Sequence, residues 1–553
     1  MKEPAEASTG STLDNIERLL LMVSVIVLAA YWFLYSLVAP VTVWDSQTYN
    51  LARLLIAQDG GLFGNHAWNN DRQILFPWAF DAVHYPFLLL GGWGVALPSF
   101  FCFVGILVIV FRILRQKYSL RAAWWGALVL FSLPTVVYQA SSTKNDLAVV
   151  FGVACWFYAW WLWRQEQKVG YAWWMALALG FATGAKTSGI PLALILGLFT
   201  LWSLRGSARA VGHFAMASLL AVLLCGSVET YVNNRVVYGH WTGSPAFVND
   251  HRNHDGLRGT AANVIRYVIG NQNIGLDVAS DHSPVPSWLA DRTREILHAL
   301  GLRDVGYRSD FNDAKMEFLK TNHEDSMDFG PVGGLSLLAT FVFFCGWRCD
   351  AVWKLSVLAL LSLGLSAATI AWMPWNARFL MLPFMLGALA LTLFLVGRSE
   401  RSGPLSLLWL LVLLFAAFLY PLNSFNKKPE DLLLAVTQRR VLETSERPAI
   451  RQILEVMDQL EQREGHPPVV LLCGGIDSWV LPLLQLQSIH AVPAPLLGDP
   501  ALTKEQIEAV EKSKPEYVLF LNLPPAPAVT PQLQRLVDFA DSGSVLYGFK
   551  PSR

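Results

Sequence analysis

Apolar runs of about 17–25 residues, each enough to cross a bilayer as a helix, constrain this chain more than any other feature. They fall near residues 18–39, 86–111, 121–140, 147–163, 171–186, 188–204, 211–232, 331–347, 352–372, 376–397 and 404–421. The 553 residues are 54% hydrophobic and 15% charged, against roughly 25% charged in a soluble domain. The pattern predicts a polytopic α-helical membrane protein with about eleven transmembrane helices. Lys plus Arg equals Asp plus Glu at 42 each, so no global charge points to nucleic acid or to an acidic partner.

Orientation follows from the basic residues in short connections. Arg112, Arg115, Lys117 and Arg121 share one loop, Arg164 and Lys168 a second, Arg205 and Arg209 a third, Arg348 and Lys354 a fourth, Arg398 and Arg401 a fifth. All lie on one face if the N-terminus is inside. The opposite face then receives Asp45, the Ser141–Asp146 turn, a long loop over 233–330, Met373–Arg378 and everything after Pro421. The first outward loop, 40–85, mixes polar residues with Trp68, Phe76, Trp78 and Phe80, which predicts helices lying along the interface. The N-terminus lacks a basic segment followed by a small-residue cleavage site, so the first span is expected to be kept.

From residue 427 to 553 the composition becomes that of a soluble domain. Glu446–Glu464, Ser478–Leu486, Thr503–Ser513 and Pro531–Ala540 read as helices. Pro468–Cys473, Ala491–Ala494, Tyr517–Leu521 and Ser544–Phe549 read as strands, predicting a small parallel α/β layer. Gly474-Gly475 reads as a tight turn rather than a phosphate cradle. The six cysteines read as apolar fillers, since Cys345 and Cys349 have no second pair to complete a zinc site.

Four polar clusters fall on the outward face. Asp45, in Trp44-Asp45-Ser46-Gln47-Thr48-Tyr49-Asn50, directly follows the first span, where a carboxylate is expensive and marks a functional site by default; the competing role is an N-cap for the helix carrying Tyr49. Ser141-Ser142-Thr143-Lys144-Asn145-Asp146 opens a span, and there Asp146 could simply complement the helix dipole beneath a Thr143 or Asn145 cap. Lys186, in Gly184-Ala185-Lys186-Thr187-Ser188-Gly189, either binds phosphate at a helix start or snorkels. Arg378 begins a span on the non-basic side, and its planar fork suits phosphate oxygens. Two carboxylates and two cations on one face suit a phosphorylated, lipid-linked substrate: an acid activates the nucleophile and the cations hold the departing phosphate.

These clusters, in this order, resemble the GT-C superfamily of membrane glycosyltransferases, particularly bacterial relatives of protein O-mannosyltransferases and of the enzyme that adds aminoarabinose to lipid A. The resemblance covers about residues 15–400 and rests on Trp44-Asp45-Ser46, Thr143-Lys144-Asn145-Asp146, Gly180-Phe181-Ala182-Thr183-Gly184-Ala185-Lys186-Thr187 and Arg378-Phe379-Leu380-Met381-Leu382-Pro383. It implies a catalytic membrane domain over 1–426 and an inverting transfer from a polyprenyl-phosphate sugar to a lipid, glycan or protein acceptor. Asp45 would be the general base and Asp146 a helper or sugar contact. Lys186 and Arg378 would hold the donor phosphate, with Lys144, Asn145 and Tyr49 as further substrate contacts. The chain lacks the second acid that often stands beside the first, so no cofactor is assigned. A divalent metal is left open, with His251, His254, His323, Glu324 and Asp325 as conceivable ligands. The expected location is the inner, cytoplasmic membrane, with the site and the C-terminal domain facing the periplasm. The alternatives are a flippase for a lipid-linked saccharide, against which stand the absence of matched halves and of mid-membrane charges, and a non-catalytic assembly subunit.

Overall fold

The computed structural model describes residues 12–57, 72–271, 285–316, 318, 329–346, 350–396, 404–423, 427–445, 447–474, 481–484, 492–494, 516–521, 533–539 and 544–549. Its membrane part is a helical bundle: α1 (Thr12–Val38), α2 (Leu97–Lys117), α3 (Leu120–Phe131), α4 (Pro134–Ala140), α5 (Asp146–Glu166), α6 (Gly170–Ala185), α7 (Gly189–Leu204) and α8 (Ala208–Cys225). Two loop helices, α9 (Gly256–Gly270) and α10 (Val285–Ala299), precede α11 (Gly330–Gly346), α12 (Asp350–Thr369), α13 (Met381–Val396) and α14 (Pro404–Asn423). Leu219, Leu223 and Leu224 on α8 and Leu19, Ile26 and Val27 on α1 are exposed, which suits a surface solvated by lipid tails.

Each of the eleven predicted runs contains a helix, but the boundaries and the number of crossings differ. Among the described residues six helices are long and apolar enough to span, or seven if α3 and α4 count as one bent span. The 86–111 run begins its long helix only at Leu97, because Gly91, Gly92 and Gly94 take positive φ of 73°, 78° and 69° and break it. The 121–140 run bends by 79° between α3 and α4, where Pro134 starts the second helix and cannot donate into the first. The 211–232 run stops at Cys225, and Ser227, at φ 52°, turns the chain into a separate polar helix, Val228–Tyr238.

Small residues set the closest helix approach. A Cβ at Gly184 on α6 would lie 1.6 Å from the Cys225 carbonyl oxygen of α8, and one at Gly180, a turn earlier, would lie 2.6 Å from the Ala221 Cβ. This is the small-residue packing that membrane helices use to bring backbones together. At the opposite end of the bundle Glu17 receives Arg121 Nε at 2.6 Å and Trp125 Nε1 at 2.8 Å, a buried acid that the sequence reading did not single out.

After the bundle come α15 (Pro429–Thr437), α16 (Arg439–Glu443) and α17 (Pro448–Glu464), then β1 (Val470–Gly474), β2 (Val492–Ala494), β3 (Tyr517–Leu521), β4 (Leu533–Phe539) and β5 (Ser544–Phe549). The sheet order is β2-β1-β3-β5-β4. β1 pairs in parallel with β2 and β3, while β5 is antiparallel to both β3 and β4. The sheet is therefore mixed, not parallel, and the helix predicted over Pro531–Ala540 is strand β4. The four residues between β4 and β5 are too few for a parallel crossover and allow only a hairpin. The helix predicted at Thr503–Ser513, Gly475 and most of Ser478–Leu486 lie outside the described residues. One apolar core joins Ile453, Leu454, Val470, Leu519 and Leu546 of this region to Val41, Val43, Leu51, Leu54 and Leu88 of the first loop.

Two outcomes follow. Gly184→Val forces a side chain into the α8 backbone, beyond the roughly 1–3 kcal/mol of ordinary overpacking, and should lower the thermal unfolding midpoint sharply while Gly206→Val, in open space, leaves it unchanged. His84 is fully buried with Nδ1 2.5 Å from the Val95 carbonyl oxygen, and burial pushes it down from 6.5 to about 4. The unfolded chain then binds the extra proton first, so stability should fall as pH drops from about 6.5 towards 4, by up to about 3 kcal/mol. Thermal unfolding of His84→Gln should lose that part of the slope.

Candidate active site

Asp45, itself in helical backbone conformation, leads into a wide helical turn over Ser46–Asn50, but its side chain makes no capping hydrogen bond. Its carboxylate instead accepts Arg378 Nη1 at 2.5 Å, with Lys144 Nζ at 3.4 Å. Burial alone would raise the Asp45 carboxyl, yet Arg378 first, then Lys144, Arg72 and Lys186, hold it well below the usual carboxylate range. Tyr49 reaches the same carboxylate, and burial and then the Asp45 charge keep its phenol protonated far above its ordinary value.

The second cluster is tied to the first. Thr143 Oγ1 donates to Ser46 Oγ at 2.8 Å, and the Lys144 amide donates to Ser142 Oγ at 3.1 Å. Neither Thr143 nor Asn145 caps α5; Asn145 Nδ2 donates to the Ala185 carbonyl at 2.8 Å, at the end of α6. That bond brings the next residue into range, and Lys186 Nζ donates to Asp146 Oδ1 at 2.7 Å. The other Asp146 oxygen is buried with no hydrogen-bond partner. Lys186 and Arg378 both lie over the Phe379 ring, at 4.5 and 5.2 Å.

Arg378 is positioned by the long loop. Asn376 Nδ2 donates to Tyr267 Oη of α9 at 2.8 Å. Bridges pair Arg252 with Ile370 and Tyr307 with Trp372, and buried Arg266 lies 3.7 Å over Tyr307.

A cavity of about 490 Å³ opens against these groups. Asp146, Lys186 and Arg378 form its polar end, and Val153, Leu192 and Leu365 are among its apolar walls. Of the residues expected to bind substrate, Lys144, Asn145 and Tyr49 do not line it. Neither they nor Asp45 are among its lining residues, and all four are at most 6% exposed. Lys144 thus reaches Asp45, not the cavity. Arg72, which the sequence reading did not single out, lies 5.0 Å over Trp44 and adds to the positive field at Asp45. The sequence signal for it was a cation in a loop studded with aromatic residues.

Of the conceivable metal ligands, the two that are described each face a backbone carbonyl. His251 Nδ1 faces the Phe247 carbonyl at 2.9 Å and His254 Nε2 the Asn249 carbonyl at 2.6 Å; His323, Glu324 and Asp325 lie outside the described residues. Among the described residues, a grouping of potential ligand atoms within 4.8 Å of one another is Glu464, His466 and Glu516, in the sheet region.

Residues 71–229 match the sequence family described as dolichyl-phosphate-mannose-protein mannosyltransferase, a stretch that holds Lys144, Asn145, Asp146 and Lys186. No curated protein matches the sequence. Among solved structures, ArnT from Cupriavidus metallidurans bound to undecaprenyl phosphate is similar over 96% of this chain and 98% of its own, at 13% identity and a TM-score of 0.55. The chain has the fold of the GT-C membrane glycosyltransferases. The apo form of the same ArnT gives a TM-score of 0.44 at 14% identity, covering 95% of this chain and 97% of its own. The Archaeoglobus fulgidus oligosaccharyltransferase gives 0.42 at 13% identity, covering 90% of this chain and 68% of its own. This GT-C fold is that of a multi-pass membrane protein, with the charged cluster gathered where α1 and α6 end and α5 and α13 begin.

The Asp45 contribution to stability is present above the ordinary carboxylate range and is lost only as pH falls through its depressed folded value. Arg378→Gln removes the strongest cation acting on it and leaves a buried charge less satisfied, at about 3–5 kcal/mol. Arg378→Gln should therefore start from a lower thermal unfolding midpoint at neutral pH and lose less of it on acidification than the wild type, because Asp45 then takes its proton closer to its unfolded value; an unchanged acid profile would count against the pair.

Proposed function

We propose that the chain is an inverting glycosyltransferase that takes a sugar from a polyprenyl phosphate and passes it to a lipid, glycan or protein acceptor. The observation that carries this reading is the cavity end at which Lys186 and Arg378 meet. Two carboxylates, Asp45 and Asp146, face three cations, Lys144, Lys186 and Arg378, leaving one positive charge in excess and an anionic ligand favoured. Apolar walls on α5, α7, α12 and α13 leading away from that end suit an isoprenoid chain, and ArnT, the neighbour of similar fold, was crystallised with undecaprenyl phosphate.

The apo charge pattern gives the mechanism its order. A base held far below the usual carboxylate range is a weak one, and Asp45 is shielded by Arg378. A donor phosphate at Arg378 and Lys186 competes for the guanidinium, so Asp45 keeps Lys144 and its proton affinity rises. Asp45 then takes the acceptor proton as the acceptor atom bonds to the anomeric carbon. The bond from that carbon to the phosphate oxygen breaks on the opposite face, and polyprenyl phosphate departs with the negative charge held by Lys186 and Arg378. One in-line displacement inverts the centre, by analogy with glycosidase geometry. Asp146 keeps Lys186 directed at the cavity. The basic loops lie at the far ends of α5 and α6 from the site, which supports a site on the outer face of the cytoplasmic membrane.

Purified protein in lipid nanodiscs, offered a panel of polyprenyl-phosphate sugars with acceptor lipid extract, should release polyprenyl phosphate. Asp45→Asn should lower that release by roughly 10²–10⁴-fold in protein that is still folded at the assay temperature, with a lower unfolding midpoint because Arg378 loses its partner. Undiminished release by a folded Asp45→Asn would remove Asp45 from the base role.

A further inference from the structure

Lys427 follows α14 and lies outside every motif that the sequence marks. Its side chain is buried, 3% exposed, although an ammonium taken from water costs much unless its donors are met. It meets them on neutral oxygens: Nζ donates to the carbonyls of Tyr138 at 3.1 Å and Ser141 at 2.9 Å, and to Ser141 Oγ at 2.7 Å. The Tyr35 and Tyr138 rings each stand 5.7 Å away. These acceptors are the carbonyl end of α4, where a cation also complements the helix dipole. The backbone of Lys427 is itself fixed to α1, since Tyr31 Oη donates to its carbonyl at 2.9 Å.

The turn that Lys427 clamps is the one that continues into Thr143, Lys144 and Asp146. Three residues beyond Ser141 lies the ammonium that faces Asp45. The same segment also grips the Asp45 side of the site. Arg439 donates to the Val38 carbonyl at 2.7 Å and the Gly92 carbonyl at 2.9 Å, and Gln47 Nε2 donates to the Glu443 carbonyl at 3.0 Å.

We propose that Lys427 is a positioning residue of the site: by clamping the carbonyl end of α4 it holds the Ser141–Lys144 turn where Lys144 meets Asp45. Its effect on rate rests on the transferase reading above; its effect on Lys144 does not.

Lys427→Met, Lys427→Gln and Lys427→Arg in nanodiscs supply the test. Amine-reactive labelling read by mass spectrometry follows Lys144, which is buried in the wild type. Labelling of Lys144 should rise several-fold in the Met and Gln proteins and stay near wild type in Arg, at comparable unfolding midpoints. With a productive donor, kcat should fall about 10–100-fold in Lys427→Met, as expected of a small misplacement, with KM for donor nearly unchanged and rate largely restored in Lys427→Arg. In a Lys144→Met background, Lys427→Met should cost little more. Lys144 left unlabelled in folded Lys427→Met and Lys427→Gln, or losses that simply multiply across the two positions, would overturn the proposal. If the wild type releases no polyprenyl phosphate, or Asp45→Asn releases as much, the transferase reading falls alone and the labelling still decides Lys427.

Discussion

The ion pair between Asp45 and Arg378 joins residues 333 positions apart, and the rest of the site is arranged to make it tolerable. A carboxylate and a guanidinium taken out of water lose more hydration than their mutual attraction returns unless further groups complete them. Here Lys144 and Tyr49 reach the carboxylate from the other side, and Phe379 lies under the guanidinium. The pair sits where α1 ends and α13 begins, so the membrane bundle cannot place these helices independently of the charges between them.

A second pair, Lys186 with Asp146, repeats the logic one helix away. The two are linked through hydrogen bonds that are not ionic: Asn145 to the end of α6, and Thr143 to Ser46. Each of these uses a short polar side chain that would ordinarily cap a helix to tie one loop to another. The helix starts they leave uncapped are at the site, which is where preorganised but incompletely satisfied groups are expected. The free oxygen of Asp146 belongs to the same pattern.

Much of this was legible in the sequence, for identifiable reasons. Apolar length gave the helices, and the four polar clusters carried their order because a charge at a span end has few places to go in a membrane. The roles of individual residues were harder. Lys144 reads in sequence as a substrate contact and in space belongs to Asp45, because which side of the turn faces a cavity depends on Thr143, whose partner Ser46 is remote. Lys427 carried no signal, since its acceptors are backbone oxygens that leave no residue pattern. The bend before Pro134 and the break at Gly91, Gly92 and Gly94 were written in the local sequence but outweighed by continuous hydrophobicity. Strand β4 was misread as helix because Leu533, Leu536 and Val537 stand at helical spacing while Arg535 interrupts the alternation of Leu533, Val537 and Phe539, and the short connection to β5 was the deciding constraint.

The apolar core shared by the first loop and the C-terminal sheet also bears on how the molecule is made. Val41, Val43, Leu51 and Leu54 leave the ribosome well before their partners in β1, β3 and β5. Gln47 waits 396 residues for the Glu443 carbonyl, which at ordinary elongation rates is on the order of tens of seconds. Throughout that interval the segment bearing Asp45 has an apolar face without its cover, and for most of it a carboxylate without Arg378. The charge constellation therefore cannot form before Arg378 has been made, and a nascent chain carries no assembled site until then.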